Sequence, residues 1–359
     1  MVPEQWQPNR WRKPAQVAFV NMAAVNHQDP AQQILLEGDA EVVPTPLHDE
    51  GGAVSPAIIG ADVVVAGFAK RLYDEAFFAA LQTPRLLVRP FVGFDDIDVD
   101  AATAHGVLVC NMADSIFDDV SNQMMALLLA TDRQVLVVDR WIREGHWART
   151  GSRVPTGMLF QRPAIKTLGL IGFGTIGRVI VPKARPFGYT IIATDPYIDP
   201  AVARDLDVEL VALDELLRVS DVVSIHCFLN NETRKMINAE KLALMKPTAV
   251  IINTARGPII DEAALIDALQ RGVIAGAGLD VMEVEPLPAN SPLLQLDNVT
   301  LSAHIAGTSV QGHHRFRVRV GETALRVAMG GLPERHLVVN KGLYDQLAAA
   351  PELATIPQG

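Results

Sequence analysis

Short apolar runs rich in Val, Ile and Leu alternate with longer amphipathic segments along most of the chain. This alternation predicts βαβ units, in which helices connect the strands of parallel sheets. The runs form two series, separated by a segment between about 115 and 145 that predicts a long helix. The predicted strands are 16–21, 40–45, 61–68, 85–91 and 106–111 in the first series, and 167–172, 189–195, 221–226, 248–253, 274–280 and 298–303 in the second.

Two successive doubly wound α/β sheets are therefore predicted, and 359 residues are too many for one ordinary core. The segment after 307 predicts a helix that returns to the first sheet. The first domain is thus expected to be discontinuous, with residues 1–130 and 308–359, and the second to cover residues 131–307. Because ligands of such sheets bind at the carboxyl ends of the strands, we expect a ligand cleft between two lobes.

Glycines follow the first strand of the second series in a characteristic spacing. The segment TLGLIGFGTIG, residues 167–177, has Gly172, Gly174 and Gly177 between a strand-like run and a helix-compatible one. This G-x-G-x-x-G pattern is typical of dinucleotide-binding turns. Gly172 permits a tight turn, Gly174 lets the backbone approach a pyrophosphate, and Gly177 lets the helix pack closely on the strand.

An acidic residue ends the next predicted strand. Asp195 lies 195 − 177 = 18 residues after the last glycine. A carboxylate there accepts hydrogen bonds from the adenosine ribose hydroxyls and repels a 2′-phosphate, so the pattern favours NAD over NADP. The fold predicted is a Rossmann cofactor domain inserted in a flavodoxin-like substrate domain.

Composition excludes several other functions. A net charge of −10 and a pI near 5.4 argue against nucleic acid and against an anionic membrane surface. The two cysteines, Cys110 and Cys227, exclude a disulfide framework and suit a reducing compartment. No apolar signal core or run of about 20 apolar residues is found, and no metal-ligand spacing, so we expect a cytoplasmic, metal-free protein.

Three polar residues in the second half have side chains suited to hydride-transfer chemistry. Arg256 and His304 each follow an apolar strand, and Glu285 lies between them in the chain. Oxidation of a 2-hydroxy acid requires a base for the hydroxyl proton, which His supplies near neutral pH, and a cation for the carboxylate, which Arg binds through a rigid fork. A carboxylate on the other imidazole nitrogen fixes its tautomer. Each residue alone is also compatible with an ordinary structural role.

The strings IGFGTIG, NTARGPIIDEAALIDAL, AGLDVMEVEPLP and LSAHIAG resemble the NAD-dependent D-2-hydroxyacid dehydrogenase family, over roughly residues 85–330. The resemblance implies an enzyme that interconverts a D-2-hydroxy acid and its 2-oxo acid. It implies that Arg256 binds substrate, that Glu285 orients the catalytic histidine, and that His304 is the acid/base. The cofactor-binding residues implied are Gly172, Gly174, Thr175, Ile176, Gly177, Asp195, His226, Cys227, Thr233, Thr254, Ala255, Asp280, His304 and Gly307.

The segment 88–98 resembles the family's loop that binds the substrate carboxylate through backbone amides. Val92 and Gly93 would supply those amides, although a plain strand-to-helix turn is the alternative. Phe91 stands where the family has a small residue, and we expect it to make the pocket more apolar. Lys70 is either a phosphate ligand or, more simply, a solvated charge at a helix start, so the identity of the 2-hydroxy acid stays open.

Two further expectations concern partners. By the same resemblance, residues 140–151 extend onto a second subunit, and Trp141 and Trp147 supply apolar contacts, so a homodimer is expected. The alternative to an enzyme is a non-catalytic NAD-sensing scaffold, because transcriptional corepressors of this fold keep the same three polar residues.

Overall fold

Two compact units make up the protein. A computed structural model describes residues 3–7, 13–21, 24–49, 51–67, 73–152 and 162–350. The first unit comprises Met1–Ile116 and Ser309–Gly359, and the second comprises Phe117–Thr308. Lys70, the possible phosphate ligand, lies outside the described residues.

The first unit is built on a parallel sheet that has five strands in its described part, in the order β2-β1-β3-β4-β5. Alternate residues of one strand face opposite sides of the sheet: Val17 and Phe19 pack with Leu35 and Val320, whereas Ala18 packs with Phe77. Both faces are therefore covered by helices, as parallel sheets require. The strands are β1 (Gln16–Val20), β2 (Glu41–Thr45), β3 (Val63–Val65), β4 (Leu86–Arg89) and β5 (Leu108–Asn111), and the helices are α1 (Pro30–Glu37), α2 (Pro56–Ile59), α3 (Glu75–Ala80), α4 (Val99–Ala104), α13 (Val310–Ala328) and α14 (Lys341–Ala348).

The second unit has a parallel sheet of seven strands within its described residues, in the order β12-β11-β10-β9-β6-β7-β8. Reversal of strand order on either side of β6 is the doubly wound arrangement of a Rossmann domain. The strands are β6 (Thr167–Ile171), β7 (Thr190–Thr194), β8 (Glu209–Leu210), β9 (Val222–Ile225), β10 (Val250–Asn253), β11 (Gly276–Leu279) and β12 (Val299–Leu301).

The helices of this unit are α5 (Phe117–Asp132), α6 (Val135–Arg143), α7 (His146–Thr150), α8 (Thr175–Ala184), α9 (Pro200–Asp205), α10 (Leu213–Val219), α11 (Ala239–Leu242) and α12 (Glu262–Gln270). The fold class predicted from sequence is confirmed. The predicted long helix is divided, because Gln134 adopts a left-handed φ of 50° between α5 and α6. The two-residue strand β8 was not predicted, since two residues carry no periodicity.

The crossing between the units lies earlier in the chain than residue 130. Helix α5 belongs wholly to the second unit, where it packs on α8 and on β10 and β11. Its side chains Met124 and Leu128 are buried with Leu168 and Leu170 of β6. An apolar helix face is buried equally well against either sheet, so the periodicity of the helix does not reveal which sheet it covers. None of the described helices combines the length and apolarity needed to cross a lipid bilayer.

Candidate active site

The glycine turn after β6 has the geometry that its sequence predicts. Gly172 has a φ of +92°, and a Cβ on it would lie 2.6 Å from the backbone nitrogen of Cys227. A Cβ on Gly177 would lie 2.6 Å from Gly172 O, so neither position tolerates a side chain. A Cβ on Gly174, in contrast, meets no described atom within 4 Å. The turn therefore needs glycine for its own packing at two positions and leaves open space at the third.

Gly174 is also the N-cap residue of α8, and no side chain caps this helix. Thr175 and Ile176, both predicted cofactor residues, form its first turn. The uncapped amides and the positive end of the helix dipole form an anion-binding position beside the open space.

Asp195 follows β7 and is tied to the same turn. One carboxylate oxygen accepts the Phe173 N–H at 2.8 Å and the other accepts the Tyr197 N–H at 3.0 Å. These bonds fix the carboxylate at the carboxyl edge of the sheet, next to the glycine turn. Each carboxylate oxygen retains a further lone pair for a ligand hydroxyl.

The loop after β9 borders the glycine turn on its other side. Ser224 Oγ and His226 Nε2 lie 2.8 Å apart, and burial lowers the pKa of His226 to about 3, so its ring is neutral. Burial raises the pKa of the Cys227 thiol to about 12, which makes it an unreactive side chain. Thr233 closes a turn in this loop, with its hydroxyl donating to Phe228 O at 2.6 Å.

A buried hydroxyl without a partner follows β10. Thr254 is 7% exposed, and its Oγ1 has no hydrogen-bond partner in the described part of the chain. An unpaired buried hydroxyl is costly and points to a ligand. Together with the space at Gly174, it indicates that the residues present fit an NAD molecule at this edge. Ala255 follows Thr254, and its N–H donates to Asn253 Oδ1 at 3.0 Å.

Arg256 is brought next to the segment that carries Glu285 by a very close backbone approach. The Arg256 Nη1 donates to Ala255 O at 2.7 Å, and Arg256 O accepts from the Asn253 side chain at 2.9 Å. The next residue, Gly257, packs so tightly that a Cβ on it would lie 1.8 Å from Met282 O. Only a glycine allows the loops after β10 and β11 to meet in this way.

Glu285 and His304 form a hydrogen-bonded pair. His304 Nδ1 and Glu285 Oε2 are 2.7 Å apart, and Glu285 Oε1 accepts the Met282 N–H at 3.0 Å. Burial raises the pKa of Glu285, but the hydrogen bonds from His304 and Met282, and the charges of His304 and Arg256, lower it more. The net result is a pKa below its ordinary value, so Glu285 is an anion at neutral pH. Sequence positions 256, 285 and 304 therefore converge in one place.

His304 has an uncommon backbone, with a φ of 53°. A left-handed conformation at a non-glycine residue costs on the order of 1–2 kcal/mol and must be held by its surroundings. Asp280, which is fully buried, holds it: its carbonyl accepts the His304 N–H at 2.7 Å, and its carboxylate accepts the N–H groups of Ile305 and Ala306.

Asp280 also accepts a 2.5 Å hydrogen bond from Ser302 Oγ. The Asp280 carboxylate thus has three hydrogen-bond partners around His304, and the Asp280 carbonyl binds the His304 N–H as a fourth contact. Gly307 lies three residues after His304 in the same loop. A role of Asp280 toward the cofactor remains a prediction. The anchoring role was missed because it depends on contacts between β11 and β12 that no local motif reveals.

The predicted carboxylate-binding loop belongs to the first unit and follows β4. Val92 O accepts from the Asn111 side chain at 2.6 Å, which fixes the loop. The N–H groups of Val92 and Gly93 have no acceptor among the described residues. The Phe91 ring lies 5.9 Å from that of Phe316 and packs against the core of this unit. Phe91 therefore packs partly against its own unit, and its effect on the apolarity of the substrate pocket stays a prediction.

The predicted cofactor and catalytic residues of the second unit all lie at the carboxyl edge of its sheet. The glycine turn, Asp195 and the loop of His226 follow β6, β7 and β9, and Arg256, Glu285 and His304 follow β10, β11 and β12.

A family model described as D-isomer specific 2-hydroxyacid dehydrogenase, NAD binding domain, matches residues 125–306. The glyoxylate reductase of Korarchaeum cryptofilum (strain OPF8) is 39% identical over 260 residues, which cover 72% of this chain and 78% of that protein. This chain belongs to the D-isomer specific 2-hydroxyacid dehydrogenases.

Other relatives agree with this membership. The D-3-phosphoglycerate dehydrogenase of Mycobacterium tuberculosis (strain ATCC 25618 / H37Rv) is 38% identical over 260 residues, covering 72% of this chain but only 47% of that protein. The chain thus spans about half the length of that relative. The crystal structure of D-lactate dehydrogenase from Aquifex aeolicus, complexed with NAD and lactic acid, has a TM-score of 0.77 and 26% identity, covering 90% of this chain and 98% of that one. As a family member, the chain is an NAD-dependent oxidoreductase, which confirms the predicted family and cofactor.

Proposed function

We propose that this 2-hydroxyacid dehydrogenase interconverts a D-2-hydroxy acid and its 2-oxo acid, with His304 as acid/base, Glu285 as its orienting partner and Arg256 as substrate ligand. The observation that carries the proposal is the 2.7 Å contact between His304 and Glu285, with the positive charge of Arg256 acting on the same carboxylate. A titratable group, an ionised partner and a guanidinium are the set that this reaction needs.

The hydrogen bond at Nδ1 of His304 determines which imidazole nitrogen exchanges a proton with the substrate. Because Glu285 is ionised, it accepts the Nδ1 proton of His304 and leaves a lone pair on Nε2. In the oxidation direction, Nε2 takes the hydroxyl proton as the C–O bond becomes a carbonyl. NAD, which the glycine turn and Asp195 would hold, would supply the acceptor for the hydride of the substrate carbon. In the reverse direction, the imidazolium returns the proton to the carbonyl oxygen, and Glu285 stabilises the imidazolium charge.

We assign binding of the substrate carboxylate to Arg256 in the second unit. The guanidinium of Arg256 is planar and matches a carboxylate with two parallel hydrogen bonds. The two N–H groups of Val92 and Gly93, which lack acceptors among the described residues, are suited to an anionic oxygen. We propose Arg256 as a substrate ligand and, separately within the first unit, the two amides as an anion-binding position. Both assignments go beyond family membership.

A substrate screen tests the proposal. Purified protein with NADH is expected to oxidise the nucleotide in the presence of at least one of glyoxylate, hydroxypyruvate, pyruvate, phosphohydroxypyruvate or phenylpyruvate, followed as loss of absorbance of NADH. Glyoxylate and hydroxypyruvate are the first candidates, since a glyoxylate reductase is among the similar proteins. Protein that binds NADH but consumes it with none of these acids would contradict the proposal and favour the sensor alternative.

We also propose that two copies associate through α6 and α7. Helix α6 has no buried residue within the described structure, and Val135, Leu136 and Ile142 on it are 51%, 48% and 40% exposed. Trp147 in α7 is 50% exposed as well. Exposed apolar side chains concentrated on one short segment are typical of an interface.

Light scattering coupled to gel filtration tests the association. We expect a mass of twice the 38.9 kDa chain. Leu136→Glu is expected to shift the mass toward that of one chain, because it places a charge in the interface. Val219→Glu, at a comparably exposed apolar position in α10 outside this segment, serves as the control. A wild-type mass of one chain would rule out this association.

A further inference from the structure

A second carboxylate lies near Asp195 and is held by the residue two positions after it. The phenol of Tyr197 donates a 2.5 Å hydrogen bond to Glu232 Oε2, while its backbone N–H donates to Asp195. Tyr197 is 77% exposed, so its ring projects from the surface of the second unit rather than into the core. One tyrosine therefore connects two acidic residues that are far apart in the chain.

Glu232 is fixed by its own loop. The side chain of Asn230 accepts the N–H groups of Glu232 and Thr233, at 2.9 and 3.0 Å, and the Thr233 hydroxyl donates to Phe228 O. This compact turn sets the direction in which Glu232 leaves the backbone. The position of its carboxylate is thus determined by the loop as well as by Tyr197.

The order of strands in the sheet shows which loops the Tyr197–Glu232 contact connects. Strand β6 lies between β9 and β7 in the sheet, and the glycine turn follows β6. Asp195 and Tyr197 follow β7, and Glu232 follows β9, at the same carboxyl edge. The contact therefore bridges the two loops that flank the glycine turn, on the side where a Rossmann domain receives the adenosine half of its dinucleotide.

Both carboxylates act on the same phenol. The hydrogen bond to Glu232 and the charge of Glu232 raise the pKa of Tyr197, with smaller contributions from burial and from Asp195. The carboxylates of Asp195 and Glu232 therefore both act electrostatically at the position of the Tyr197 phenol, at the adenosine end of the site. Ribose hydroxyls donate hydrogen bonds and are compatible with two nearby carboxylates. A 2′-phosphate carries up to two negative charges, and the carboxylates repel it.

We propose that Glu232, held by Tyr197, is a second specificity-determining residue that acts with Asp195 to favour NAD(H) over NADP(H). The inference rests on the adenosine ribose binding at Asp195, but it does not depend on which hydroxy acid is the substrate. Glu232 acts by its charge, and Tyr197 acts by positioning that charge.

Equilibrium binding without substrate tests this inference. Dissociation constants of the full chain for NADH and NADPH are measured from nucleotide fluorescence for the wild type and four variants. Glu232→Gln is expected to tighten NADPH binding about fivefold and to change NADH binding less than about twofold. Tyr197→Phe is expected to give a smaller gain, because Glu232 keeps its charge but loses its position. The gain of Glu232→Gln is expected to shrink at high salt.

Two variants serve as references. Asp195→Asn is the positive control and is expected to shift the NADPH to NADH ratio by itself. Glu240→Gln removes an exposed carboxylate from α11 in the same unit and is expected to leave both constants unchanged.

The outcomes separate the possible failures. An unchanged ratio in Glu232→Gln beside a shifted ratio in Asp195→Asn would overturn the role of Glu232. Equal weakening of both nucleotides by Glu232→Gln would also overturn it, since that result marks a loop-stabilising residue. An unchanged ratio in Asp195→Asn would instead remove the ribose placement on which the inference rests. None of these results bears on the turnover screen, which tests the proposed reaction separately.

Discussion

His304→Ala is expected to lower kcat by about a thousandfold and to leave the dissociation constant for NADH within about twofold of the wild-type value. A positioned general acid–base group contributes on the order of 10²- to 10⁴-fold to a proton transfer, and alanine removes it completely. Stopped-flow NADH oxidation gives the rate, and nucleotide fluorescence gives the affinity. Retention of most of the wild-type kcat would show that another group moves the proton.

Glu285→Gln is the matched variant for this pair. The amide preserves size but removes the negative charge that accepts the Nδ1 proton of His304 at 2.7 Å and stabilises the imidazolium. We expect a loss of kcat of at least about tenfold, smaller than that of His304→Ala. In the double variant, the Glu285 change should add little, because an orienting residue has no effect without the group it orients.

Gly257→Ala is expected to have the second largest effect, on both stability and activity. An added Cβ would lie 1.8 Å from Met282 O and 2.0 Å from Met282 C, and backbone atoms at such distances must move apart. Overpacking of this kind typically costs about 1–3 kcal/mol, which corresponds to a fall in Tm of roughly 3–10 °C for a domain of this size. Differential scanning calorimetry measures this shift.

The same movement separates Arg256 from Glu285, since Gly257 follows Arg256 and the Met282 N–H binds Glu285. We expect kcat/KM to fall about a hundredfold, because a displacement of about 1 Å in a catalytic group has this effect. Gly342→Ala is the control: it lies in α14, and an added Cβ meets no described atom within 4 Å. Wild-type Tm and kcat/KM in Gly257→Ala would contradict the close approach of the two loops.

The strands and the cofactor turn were predictable because local patterns suffice for them. Buried parallel strands are short, β-branched and apolar, and the predicted runs coincide with the observed strands except for β8. The glycine turn is equally local. Gly172 needs a positive φ and Gly177 must approach the Gly172 carbonyl, and both requirements fall within six residues.

The surroundings of the catalytic residues were not predictable from local patterns. Nothing in the sequence near Asp280 indicates that its carboxylate supports the loop of His304, nor that Gly257 is the point where two loops touch. These contacts join residues 20 or more positions apart, and they form only when neighbouring strands align. Phe91 illustrates the same limit, since its ring contacts that of Phe316, a residue on a helix more than 200 positions later, and no local pattern indicates this contact.

By itself, the sequence determined the two parallel-sheet units, the NAD-binding turn and the family, because each depends on periodicity or on residues spaced closely along the chain. The tertiary structure decided where the units divide, that Glu285 and His304 are in contact, and that Glu232 reaches Tyr197 beside Asp195. The physical reason is the order of strands in the sheet. That order brings loops from different parts of the chain to one edge, and a linear pattern of side chains does not specify which loops become neighbours.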